Sequence, residues 1–250
     1  MEEKFQKALN EFVEEQKKDK NVIGIIVSGS IIHSKPDKNS DLDVFIVTNN
    51  NVKTRIRGNT WRNGIEIEYF KNPVKQVREY FKKEIGKKSP CTAHMLANSI
   101  ILYKKNNQLN KLIKEAKIRI KKQQEKISKF ELEQERYFLD DIEKDLEDVY
   151  LRKDEFAFEQ ISAMVLDRAL KDLFIIKRTY PEKPKRLLPF LEKLDNKFAE
   201  LYKQSLLEKD INKKYEKLIS LIRYTEKLLG GKRPREWKLK SVCPIFKKSK

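Results

Sequence analysis

Two aspartates one residue apart, Asp41 and Asp43, open the apolar run of SDLDVFIV. In an extended chain alternate side chains share a face, so both carboxylates point one way and Leu42 and Val44 point the other. Carboxylates held this close repel unless a proton or a cation lies between them. Oxygen ligands suit Mg²⁺ or Mn²⁺, and Mg²⁺ binds one or two carboxylates together with substrate phosphates. About a dozen residues upstream, VSGS places Gly29 and Ser30 directly after another apolar run. Glycine lets the backbone approach a ligand closely, and serine adds a hydroxyl and a backbone N–H. A helix starting at Ser30 would aim its unpaired N–H groups at the same spot, a place for phosphate oxygens. A third carboxylate on a neighbouring strand would complete a cation cage, and GIEIEYF carries Glu66 and Glu68 on one face.

The elements that must hold these groups follow from periodicity. Phe5, Leu9, Phe12 and Val13 recur at helical spacing and predict a helix over 2–19. VIGIIV, residues 22–27, is short, apolar and β-branched, and reads as a buried strand. Pro36, Asp37, Asn39 and Ser40 mark a loop, and residues 42–48 form the next strand. Residues 55–58 are a short strand or a turn, whereas 64–70 alternate apolar and polar residues as a strand with one wet face does. A helix begins at Asn72-Pro73 with Val74, Val77, Phe81 and Ile85 as its apolar stripe. A short helix near 92–98 and a strand at 100–103 complete this half. After residue 107 and to about 229 only helical periodicity remains, with one helix from 109 running on past 120 and others over 130–150, 156–178, 185–206 and 211–229. The expected class is α+β: a small mixed-sheet domain over 1–105, an all-α bundle over 106–232 and a basic tail over 233–250.

An Asp-x-Asp pair alone recurs by chance. More specific is the ordered set of strand, Gly-Ser, ten-residue loop, Asp-Leu-Asp entering a second strand, and an acid on a later strand. That set, as VSGS, SDLDVFIV and GIEIEYF, resembles the nucleotidyltransferase superfamily of the DNA polymerase β type. The stretch ILYKKNNQLNKLIKEAK, residues 101–117, and the helices that follow are similar to bacterial antibiotic and minimal nucleotidyltransferases. The resemblance implies that Asp41, Asp43 and Glu66 hold the divalent metal, one ion or two, and carry catalysis. Gly29 and Ser30 would then bind the triphosphate of an NTP, ATP being the expected one. Glu66 is preferred as the third acid because relatives place it early in its strand after an apolar residue; Glu68, facing the same way, is the alternative. Glu66 as general base is the other role such a glutamate takes. His33 stands where relatives often carry arginine, and reads as a plain loop residue.

The implied reaction moves an NMP from an NTP to a hydroxyl and releases pyrophosphate. The first acceptor class is a small molecule, an antibiotic included; RNA or a protein is the alternative, and a non-catalytic nucleotide-binding protein the third. The net charge of +18 favours an anionic partner and weighs against a cationic antibiotic unless charge is segregated. Arg168, Lys171, Lys177 and Arg178 read as a solvated face or as contacts to leaving phosphates. Asp140 and Asp141 read as helix surface or as the wall of a pocket for an aminated substrate. The two histidines, His33 and His94, lie outside the helical half, which argues against a fused RNase of the Arg-x(4–6)-His kind. Cys91 and Cys243 have neither disulfide-framework nor zinc spacing. No apolar run approaches a membrane span and no signal peptide is recognised, so the cytoplasm is the expected location.

Overall fold

The computed structural model describes residues 2–32, 40–84 and 90–240. His33, Ile85, Cys243 and the tail from 241 to 250 lie outside the described residues. Two compact units divide the chain, residues 1–123 and 124–250. The first holds α1 (Glu3–Gln16), β1 (Val22–Ser28), β2 (Leu42–Thr48), β3 (Ile56–Arg62), β4 (Ile65–Pro73), α2 (Val74–Lys83), α3 (Cys91–Ala97), β5 (Ile100–Lys104) and α4 (Gln108–Ile120). The second holds α5 (Lys129–Leu151), α6 (Glu155–Ile176), α7 (Pro184–Leu194), α8 (Asn196–Leu207) and α9 (Ile211–Leu228). The class is α+β, a mixed sheet with helices followed by a helical region.

The sheet runs in the order β3-β4-β2-β1-β5. β2 and β4 are parallel and every other pair is antiparallel. β1 is buried along its whole length, as an apolar β-branched run in a sheet centre must be. Alternation then assigns the two faces of β2. Leu42, Val44 and Ile46 meet Phe5, Leu9 and Phe12 of α1 in one core, while Phe45 and Val47 meet Val77, Phe81, Leu96 and Leu112 of α2, α3 and α4 in another. Asp43 shares the second face, one step before the apolar core begins. α4 docks against β1 so closely that a Cβ on Gly24 would come within 2.7 Å of Leu109 Cδ2. Burying Leu109 completely stabilises this docking by about 1.5–3 kcal/mol. α4 therefore packs with the sheet unit, which ends at Gln123.

β3 continues to Arg62, beyond the 55–58 segment read from periodicity. Asn63 and Gly64, at φ 54° and 71°, form the two-residue turn that pairs Arg62 with Ile65. Asn-Gly is the favoured pair for such a turn because both residues tolerate left-handed backbone.

In the second unit Leu139, Leu146, Phe158, Val165, Leu173, Phe198, Leu218 and Leu221 form one core. The segment 185–206, read as one helix, is two. Asp195 leaves helical geometry at φ −163° and its carboxylate caps α8 by accepting from Phe198 N–H at 3.1 Å.

Candidate active site

The parallel pairing of β2 with β4 decides which acids meet. Asp43 stands beside Glu68, and Leu42 beside Ile67. One carboxylate oxygen from each of Asp41, Asp43 and Glu68 lies within 4.8 Å of the others. Mg²⁺ has ligands at 2.0–2.1 Å, so two oxygens across the ion stand about 4.2 Å apart. Small side-chain rotations close that gap, and three carboxylates on one wet face fit a hard divalent cation.

Gly29 completes the wall. Its φ of +86° lies in the left-handed region, and a Cβ there would stand 2.2 Å from Asp43 Oδ2. Backbone conformation and space both require glycine. Ser28 pairs with Asp43 across β1 and β2, and a 3-10 turn over Ser30–Ile32 follows the glycine. Gly29 thus adjoins the Asp43 carboxylate, with Ser30 next to it in the chain.

Glu66 is not in this group. Its Oε1 accepts from Asn59 Nδ2 at 2.8 Å, one pleat from Glu68 on the same face. Of the two glutamates that the sequence offered as third acid, Glu66 first and Glu68 as the alternative, the β2–β4 register sets Glu68 abreast of Asp43. The strand rises about 3.3 Å per residue, which keeps Glu66 roughly 7 Å further along. Arg57 on β3 had no signal in the sequence pattern. Its Nε and Nη2 both donate to Glu68 Oε1, at 3.1 and 2.6 Å, and its guanidinium lies 5.0 Å over the Phe70 ring. Trp61 stands opposite Glu66 on the same wet face, 60% exposed.

The family described as nucleotidyltransferase domain matches residues 6–185, well over half of the chain. The chain belongs to that family. A nucleotidyltransferase-like protein from Exiguobacterium sibiricum 255-15 is similar in structure, with a TM-score of 0.50 and 14% identity over 90% of this chain and 77% of its own. At that identity the likeness concerns fold alone. No curated protein matches the sequence. In this nucleotidyltransferase the carboxylate cluster lies inside the matched residues, as does the glycine wall.

The other residues singled out in the sequence have structural partners in the helical unit. Arg168 and Lys171 both pair with Glu135, Lys177 pairs with Asp195 at 3.0 Å, and Arg178 Nε donates to the Gln124 carbonyl at 2.9 Å. Asp140 pairs with Lys144 and Arg233. Burial pushes the Asp140 carboxyl up, but these two cations outweigh it and hold it below its ordinary range. These cations serve the helical unit, and Asp140 is already neutralised. Among the described residues no helix is long and apolar enough to cross a membrane.

Proposed function

We propose that this nucleotidyltransferase carries out divalent-cation-dependent transfer of an NMP from an NTP, ATP first, to a hydroxyl acceptor. The observation that carries the proposal is the convergence of Asp41, Asp43 and Glu68 on one spot beside the Gly29 wall. Asp41, Asp43 and Glu68 would hold Mg²⁺ or Mn²⁺, which supplies charge neutralisation for the triphosphate and the acceptor oxygen. Gly29 and Ser30 bring backbone and hydroxyl to the phosphates. The acceptor oxygen forms a bond to the α-phosphorus, the bond from that phosphorus to the α,β-bridging oxygen breaks, and pyrophosphate departs with the electron pair. Glu66, outside the ligand cluster but on its face, takes the acceptor proton as general base. Asn59 orients that carboxylate through its amide.

Two acceptor classes are compatible with a hydroxyl. A small polyhydroxylated molecule, an antibiotic included, would lie along Glu66 and Trp61. A macromolecule, RNA or protein, needs a charged surface beyond the site. Charge distribution favours the macromolecule: residues 1–123 carry 26 Lys and Arg against 14 Asp and Glu. A cationic antibiotic would meet repulsion there.

Isothermal titration of ATP with and without Mg²⁺, on wild type and Asp43→Asn, tests the site. Binding that needs Mg²⁺ and fails in Asp43→Asn supports the proposal; metal-independent binding indifferent to the substitution leaves a non-catalytic nucleotide-binding protein. Incubation with α-labelled NTP and candidate acceptors then reads transfer.

A further inference from the structure

The excess positive charge of the first unit has an address. α4 buries Leu109, Leu112 and Ala116 against the sheet. On its opposite side Lys111, Lys114, Lys117 and Lys121 follow at steps of three, three and four, one stripe of a helical surface, and all four are exposed. At 1.5 Å per residue that stripe is about 15 Å long. α2 packs beside α4, joined by Arg78 to Glu115 at 2.9 Å and by Arg119 over the Phe81 ring. α2 adds exposed Lys75, Lys82 and Lys83.

The acids on these two helices and at the end of α2 are already spent. Glu115 pairs with Arg78 and Glu79 with Lys82, and Glu84 accepts from the Thr92 and Ala93 N–H groups at the start of α3. Among the described residues none of the four α4 stripe lysines, nor Lys75 or Lys83, has a carboxylate within salt-bridge distance. The helices cover the same face of the sheet that carries Asp43 and Glu68 further along.

We propose that the α2–α4 face is a docking surface for a single-stranded RNA. Flexible ammonium groups at regular intervals suit a repeating phosphate backbone without reading its sequence. A single strand also uses stacking platforms, and the wet face of β3 presents the exposed indole of Trp61. The choice of RNA rests on the transferase reading above: a ribose end offers two adjacent hydroxyls to a site that needs one. An acidic protein would satisfy the charge but has no such requirement for a terminal hydroxyl.

The test is fluorescence anisotropy of a short labelled single-stranded RNA with the full chain across a salt series. Four phosphate contacts predict a slope of log K against log salt of about −3, or roughly 60-fold weaker binding from 50 to 200 mM salt. The variant K111A/K114A/K117A/K121A should lose most of that slope. K193A/K203A/K209A/K213A, which removes four exposed lysines from the second unit, should keep it. Equal losses in the two variants, an unchanged slope in the first, displacement of the RNA by polyglutamate at equal charge, or tighter binding of the same sequence as DNA would each overturn the proposal. Mg²⁺–ATP titration on the same preparations separates the two readings. Retained nucleotide binding without RNA binding removes the docking surface and leaves the transferase; lost nucleotide binding in wild type removes the transferase.

Discussion

Asp43 and Glu68 meet because adjacent parallel strands present them at the same level, and Glu66 is one pleat away. Their substitutions should therefore separate. On the proposed function, Asp43→Asn and Glu68→Gln each remove a proposed metal ligand and should weaken Mn²⁺ binding, measured by titration, with turnover lowered by more than about 100-fold. Glu66→Gln should leave Mn²⁺ affinity unchanged while lowering turnover by about 10²–10⁴-fold, the scale of general-base removal. A loss of Mn²⁺ affinity in Glu66→Gln would return that residue to the metal. Arg57→Ala should have a smaller effect, below about tenfold, because the exposed Arg57–Glu68 pair contributes at most about 1 kcal/mol. Gly29→Ala forces a methyl towards the Asp43 carboxylate and strains the backbone by about 1–2 kcal/mol. Lower Tm together with lost turnover is the expected result, and a neutral outcome would show that the wall can yield.

At the level of elements, hydrophobic period identified strands and helices wherever one face is buried, and it failed where local chemistry interrupts. Residues 185–206 keep a helical period across Asp195, so the pattern reads through a break that the Asp195 cap imposes. The Asn63-Gly64 pair was the available signal for a hairpin and for the full length of β3. Asp195 has three tasks: it caps α8, pairs with Lys177 and accepts from Tyr224 at 2.9 Å. Burial raises its carboxyl, and Lys177, the Phe198 N–H and Tyr224 together pull it below the ordinary value. Asp195→Ala should cost about 1–3 kcal/mol, combining a lost cap with the loss of its ion pair to the half-buried Lys177. Thermal unfolding measures it, and Asp195→Asn, which keeps a capping oxygen, should recover part of the loss.

Across the whole molecule, stability and charge are apportioned differently in the two units. Asp172 is fully buried in the helical unit and neither of its oxygens has a hydrogen-bond partner. Burial first, and the Glu135 charge second, raise its carboxyl to about 8 against the opposing pull of Arg168 and Lys171. Two facing carboxylates cannot bond to each other, whereas a protonated Asp172 supplies the missing donor. The folded state then holds a proton that the unfolded chain releases near pH 4, so stability falls as pH rises from about 4 to 8 and levels off above. Asp172→Asn should raise Tm at pH 8, leave it nearly unchanged below pH 4 and flatten the profile between; a parallel profile would exclude Asp172 as the source.

By itself the sequence determined that two aspartates share a face, that a glycine-serine turn precedes them, that an α+β half leads into helices, and that positive charge is in excess. These are short-range properties, set by the period of the backbone and by counting. Only the tertiary structure decided that Glu68 rather than Glu66 joins the cluster, that Arg57 holds it, and that α4 belongs with the sheet. Each of those depends on strand register or on packing between residues far apart in the chain, and no local pattern carries that information.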